Sequence, residues 1–217
     1  MSNEAIRAAS LGKAHGGTPL WSDVTFAVPA GSSLAITGPS GSGKSTMLRC
    51  LGLLSPLDTG TIEIEGHHVT NVRVRQRSAL FRSTIGHLFQ NSALEDNWSV
   101  RQNLDVAFIG SSTKRRDRAL PRRAALSSVG LNRAEGAKAH TLSGGERQRL
   151  ALARLFIRRP PVVFADEPTA ALDVTTGAAI LARLSELRDA GAAIVVATHD
   201  PAVMAWADDG LDLSPRG

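Results

Sequence analysis

Residues 38–46 read GPSGSGKST and fit the spacing G-x-x-x-x-G-K-[ST]. Gly38, Gly41 and Gly43 let the backbone curl until its N–H groups face inward, where they can hold phosphate oxygens. Pro39, Ser40 and Ser42 lie between the glycines, and Thr46 closes the stretch. Lys44 brings a point charge to the β- and γ-phosphates, and Ser45 offers a hydroxyl to Mg²⁺. A second group is PVVFADEP (161–168), where an apolar run ends in two carboxylates. Asp166 at the tip suits a divalent cation, directly or through water. Glu167 is expected to point elsewhere, because side chains alternate along a strand. A carboxylate placed there can take a proton from attacking water, worth ~10²–10⁴ in rate. A third group is LSGGERQRLALAR (142–154). Ser143 and Glu146 form S-x-x-E, a helix-capping box. That reading leaves Gly144 and Gly145 unexplained, since both cost helix stability. Glycines at a helix start also permit close approach of an anion. The residues alone leave both readings open.

These groups need elements to hold them. SLAIT (33–37), PVVFAD (161–166) and AAIVVATHD (192–200) are continuous apolar runs, as in strands covered on both faces of a parallel sheet. VTFAV (24–28) and TIEIE (61–65) alternate, as half-buried antiparallel strands do. Met47, Leu51 and Leu54 share one helical face, as do Ile180, Leu184 and Leu187, and Gly191 stops the second helix. The stretch at about 91–141 is charged and mostly helical in pattern, with a break expected at Pro121. The phosphate loop has a strand before it and a helix after it, which argues against a bare glycine-serine turn. The expected fold is α/β: a P-loop nucleotide-binding core with a mainly parallel sheet, an N-terminal antiparallel β part and an inserted helical part.

At 217 residues the chain fits a single domain, and 42% hydrophobic residues indicate a packed core. One cysteine, Cys50, excludes an internal disulfide framework and points to a reducing compartment. The first residues lack the apolar core of a signal peptide, and no run approaches the ~20 apolar residues of a membrane span. The chain is expected to be soluble, or held at a membrane by another chain. A net charge of +5 permits an acidic partner without choosing one. The arginine-rich stretch 114–123 reads first as a solvated helical face, next as a contact with anionic lipid. Nucleic-acid binding is not expected, because no aromatic residues are interleaved.

The third motif decides the open question by resemblance. LSGGERQRLALAR resembles the signature motif of ATP-binding cassette (ABC) ATPases, and the family's other motifs appear in order. Gln90, after GHLF, resembles the glutamine loop, which senses Mg²⁺ and the attacking water. AALD (170–173), ending in Asp173, resembles the D-loop. His199, after VVAT, resembles the switch histidine that contacts the γ-phosphate. The resemblance implies an ATPase using ATP and Mg²⁺, with two copies packed head to tail. Ser143, Gly144 and Gly145 of one copy would then close over the nucleotide on the phosphate loop of the other. The family usually stacks an aromatic ring on adenine upstream of the loop. Alignment puts His15 there, in a chain with no tyrosine. Trp21, nearby, falls on a position that packs inward.

The resemblance further implies a separate membrane permease, with the chain peripheral on the cytoplasmic face. LFQNSALEDNWSVRQNL (88–104) and VFADEPT resemble exporters of the macrolide- and lipoprotein-release type and their bacteriocin-export relatives. Export or extraction of a peptide, lipid or hydrophobic compound is therefore expected. After LDLSPRG no C-terminal regulatory domain is expected. A non-transport ABC ATPase acting on DNA or ribosomes is the competing class, usually with two cassettes or long coiled coils. A lone P-loop kinase or GTPase would need neither LSGG nor AALD.

Overall fold

Two sheets of opposite character organise the chain. A computed structural model describes residues 4–170 and 172–214. The elements run β1 (Glu4–His15), β2 (Thr18–Pro29), β3 (Ser33–Thr37), α1 (Lys44–Leu51), β4 (Thr59–Ile64), β5 (His67–His68), α2 (Val74–Ser83) and β6 (Ile85–Leu88). They continue with α3 (Val100–Asp105), α4 (Ala119–Ser128), α5 (Gly144–Arg158), β7 (Val162–Asp166), α6 (Val174–Asp189), β8 (Ala193–Ala197), α7 (Pro201–Trp206) and β9 (Asp209–Asp212). One sheet is antiparallel, in the order β2-β1-β4-β5. The other is parallel throughout, in the order β6-β7-β8-β3-β9.

The apolar runs behave as their composition requires. Along β7, Val162 and Phe164 enter a core shared with α1 and the antiparallel sheet. Val163 and Ala165, pointing the other way, enter a core shared with α3, α4, α5 and α6. Along β8, Val195 takes the first side and Ile194 and Val196 the second. A strand covered on both faces has no polar face to show. Ile180, Leu184 and Leu187 are all buried from α6, and Gly191 follows that helix with φ +104°.

Several expectations change in detail. Met47 and Leu51 are buried, but α1 ends at Leu51 and Leu54 is exposed beyond it. Pro121 does not break the helix. It is the third residue of α4, in the first turn, where a missing N–H removes no intrahelical bond. The arginine stretch is solvated only in part. Lys114, Arg115, Arg116 and Arg123 are exposed. Arg122 is buried, bonded to Asp105 Oδ1 at 2.9 Å and Glu135 Oε2 at 3.1 Å. Arg118 lies over the Phe108 ring at 5.0 Å. These contacts tie α4 to α3 and to the loop after α4. Among the described residues no helix is long and apolar enough to cross a membrane.

Candidate functional site

β3 ends at Thr37 and the chain turns through residues 38–43 into α1. Gly38, Gly41 and Gly43 all take positive φ, at 134°, 83° and 88°. Gly43 caps α1, and its carbonyl accepts from Met47 N–H at 2.8 Å. The Lys44 ammonium donates to the loop's own carbonyls, Gly38 at 2.8 Å and Pro39 at 3.0 Å. Ser42 Oγ is buried with no hydrogen-bond partner among the described residues. The loop thus holds a cation and an unpaired hydroxyl, the groups a phosphate would occupy. Trp21 does pack inward, at 7% exposure. It lies under Gly43, where an added Cβ would stand 2.8 Å from the indole Nε1.

The acidic pair meets this loop. Ser45 Oγ donates to Asp166 Oδ1 at 2.9 Å, tying the start of α1 to the tip of β7. Burial pushes the Asp166 carboxyl up, the Ser45 bond opposes that, and Glu167 beside it adds to the rise. Glu167 does not follow the strand's alternation. β7 ends at Asp166, and Glu167 turns out of it at φ +46°, a left-handed angle uncommon for a residue with a side chain. Glu167 lines the cleft beside the loop, whereas Asp166 borders the depression that adjoins it, so the two carboxylates face neighbouring spaces. Glu167 N–H donates to Ala197 C=O at 2.9 Å. Its carboxylate accepts from His199 Nδ1–H at 2.7 Å and Thr198 Oγ1 at 3.3 Å. The parallel pairing that sets Asp166 opposite Ala197 delivers both partners from the end of β8. With Nδ1 bonded to the carboxylate, His199 keeps Nε2 for another group, and its side chain is 74% exposed.

The loop, Glu167 and His199 line a cleft of about 660 Å³. Ser40, Gly41, Gly43, Lys44, Ser45 and Thr46 border it from the loop, with Glu167 and His199 opposite. His15 reaches it from the end of β1, and Gln90 from the turn after β6. Gln90 also borders an adjoining depression with Arg49 and Asp166. Leu20 lines the cleft as well, and sequence reasoning missed it. So was Thr198, whose only signal was its place between a buried strand and His199.

Ser143, Gly144, Gly145 and Asp173 lie outside that cleft. Ser143 caps α5: its Oγ accepts from Glu146 N–H at 3.3 Å, and its N–H donates to Glu146 Oε2 at 2.9 Å. Arg133 donates to Glu146 Oε1 at 2.7 Å and holds that carboxyl down to about 2. Asp173 caps α6, accepting from Thr176 N–H at 2.9 Å. A Cβ at Gly145 would stand 3.5 Å from Thr176 Cγ2 and 3.6 Å from Leu172 Cδ2, so the starts of α5 and α6 adjoin. Gly144 is different. A Cβ there would meet nothing within 4 Å, and its φ is not positive. Among the described residues nothing asks for glycine at 144, the first residue of α5.

A comparison with known families places this geometry. The ABC transporter family matches residues 21–170, from Trp21 to Ala170. The chain belongs to the ABC transporter family. It is an ATP-binding cassette and an ATPase, with the α/β P-loop fold. The cassette is 39% identical over 215 residues to the lipoprotein-releasing system ATP-binding protein LolD of Bordetella pertussis (strain Tohama I), covering 96% of this chain and 93% of that one. It is 35% identical over 190 residues to the macrolide export ATP-binding/permease protein MacB of Shigella dysenteriae serotype 1, covering 88% of this chain and 29% of that one. Among solved structures it is similar to the ATP-binding cassette MJ0796, a dimer in a post-hydrolysis state bound to ADP and Pi. The TM-score is 0.88 at 28% identity, covering 98% of this chain and 97% of that one.

Proposed function

We propose that the cassette is the energy-supplying subunit of an exporter, working as a pair of copies that close on ATP. The observation that carries this reading is Gly144, a helix-start glycine whose added Cβ would meet none of the described residues within 4 Å. A glycine there serves close approach by something outside the chain. A γ-phosphate held on the Lys44 loop of a second copy fits that need. The dimeric MJ0796 cassette bound to ADP and Pi supports the arrangement.

The residues then divide the work. The loop amides of residues 38–46 cradle the triphosphate, and Lys44 exchanges its two carbonyl partners for phosphate oxygens. The Ser45 hydroxyl and the Asp166 carboxylate are hard oxygen donors already in contact, and Gln90 adds an amide oxygen from the side. That donor set fits Mg²⁺, which binds through one or two protein oxygens plus substrate phosphates. Bound there, the ion would neutralise phosphate charge. Glu167 accepts the proton of the attacking water. His199, oriented by Glu167 through Nδ1, presents Nε2 to the γ-phosphate. His15 stacks on the base. Ser143, Gly144 and Gly145 of the second copy close the far side, with Asp173 beside them. Residues 1–217 act as one ATP-binding domain, with the helical part inserted at about 91–141.

The transporter role rests on the relatives. LolD is named for lipoprotein release and MacB for macrolide export with a permease in the same chain. A separate membrane permease, bound from the cytoplasmic side, would receive the work here, and the cargo would be a lipid, peptide or other hydrophobic compound. Two experiments test the reading. Glu167→Gln should retain ATP binding while turnover falls ~10²–10⁴-fold; near-normal turnover removes Glu167 from its role. Expression with a neighbouring multi-span permease should carry the cassette into the membrane fraction; its absence from that fraction rejects transport through that permease.

A further inference from the structure

Two buried polar side chains take no part in the chemistry above. Gln148 and Ser92 are 4% and 5% exposed. Ser92 Oγ donates to Gln148 Oε1 at 2.7 Å, and Gln148 Nε2 donates to Pro168 C=O at 3.3 Å. One amide therefore uses both ends, and each end reaches a different part of the site.

At one end, Ser92 N–H donates to Phe89 C=O at 2.9 Å, closing the turn that carries Gln90. Ser92 and Ala93 both sit at positive φ, 61° and 44°. Non-glycine residues hold that conformation only where the surroundings impose it. Here α5 imposes it twice, through Gln148 on Ser92 and through Arg154, whose Nη1 donates to Ala93 C=O at 2.8 Å. At the other end, Pro168 directly follows Glu167, itself at positive φ. Between the two ends stands α5, whose first turn is capped by Ser143.

We propose that Gln148 is a positioning residue that fixes the Gln90 turn and the Glu167 turn to the helix carrying Ser143. A shift of α5 when the second copy closes on the nucleotide then moves both turns together. Gln90 and Glu167 reach the attacking water in step with closure. A buried amide suits this better than an apolar side chain, because its two bonds have direction and fix two backbones at once. The inference rests on the proposed reading of the site, in which Gln90 and Glu167 face the γ-phosphate.

The test compares wild type, Gln148→Met, Ser92→Ala, their double variant and Glu167→Gln as purified full chains with ATP and Mg²⁺. Methionine keeps the volume of Gln148 and removes both bonds. Gln148→Met should lower kcat about tenfold or more while KM for ATP stays within about threefold, the mark of an interaction lost in the transition state. Ser92→Ala should lower kcat less. The double variant should be no slower than Gln148→Met, within about twofold, because both changes remove one shared bond. A folded Gln148→Met with wild-type kcat overturns the proposal. So do single effects that multiply in the double variant, or a kcat loss that follows only the unfolding midpoint. If Gln148→Met fails to fold, Ser92→Ala decides, and unchanged kcat there overturns it. Normal turnover by Glu167→Gln marks a different failure, that of the site reading beneath.

Discussion

Gly43→Ala is a small change with a large expected cost. Gly43 sits at φ +88°, where an L-residue loses about 1–2 kcal/mol. The added methyl would stand 2.8 Å from Trp21 Nε1, 3.1 Å from Cδ1 and 3.3 Å from Leu20 Cβ. Trp21 is buried, so the overlap costs a further ~1–3 kcal/mol, as overpacking does. Together the two effects come to about 3 kcal/mol, or roughly 6–12 °C in Tm for a chain of this size. Thermal unfolding without nucleotide measures the loss, and titration with a fluorescent ATP analogue measures the loop. Both should fall, because the methyl pushes the cap of α1 away from the position that aims Lys44. The companion variant Gly43→Ala/Trp21→Leu separates the parts, relieving the overlap but keeping the backbone strain. A Tm within 2 °C of wild type for Gly43→Ala, on the ~3 kcal/mol expected, would refute the reasoning.

The other predictions concern the cleft, the second copy and the core. Lys44→Ala and Ser143→Arg should each be inactive alone, whereas a mixture should regain activity, because a heterodimer keeps one intact composite site. Full activity of Ser143→Arg alone counts against the paired arrangement. His87 is buried against Phe81, Phe89 and Phe164, and burial pushes its pKa down to about 4. The unfolded chain therefore binds the proton first, so stability present above pH ~6.5 is lost as pH falls toward 4, by about 3 kcal/mol at most. Denaturant titrations across that range should show a shallower slope for His87→Leu; an unchanged slope rejects His87 as the source. Arg122→Met should leave Asp105 and Glu135 facing each other without their cation. The expected cost is about 2–4 kcal/mol in denaturant unfolding, and a loss under ~0.5 kcal/mol contradicts the buried bridge.

Much of this site could be read from the sequence because local physics decides it. The Ser143–Glu146 cap depends on two residues three apart, and the structure repeats it bond for bond. The strands at 33–37 and 162–166 are apolar at Leu34–Ile36 and Val162–Ala165 because both their faces are covered there. Other parts depend on distant partners. β1 was not legible, because small alanines and the bulges around Ala8 and Leu11 hide its alternation. β9 reads DGLD, a turn by composition, and becomes a strand only by pairing with β3. Arg122 looks like surface, and its burial follows from carboxylates 17 and 13 positions away. The direction of Glu167 comes from a left-handed turn that pattern rules do not foresee. The Gln148 bridge joins residues 56 and 20 positions apart.

Association measured by light scattering speaks most directly to the paired arrangement, with Glu167→Gln used to hold ATP unhydrolysed. With ATP and Mg²⁺ that variant should run at twice the monomer mass, and without ATP as a monomer. Adding Ser143→Arg should abolish the dimer while a single chain still binds ATP through Lys44. A Glu167→Gln variant that stays monomeric with saturating ATP and Mg²⁺, or a dimer indifferent to Ser143→Arg, would contradict closure of each nucleotide by two copies.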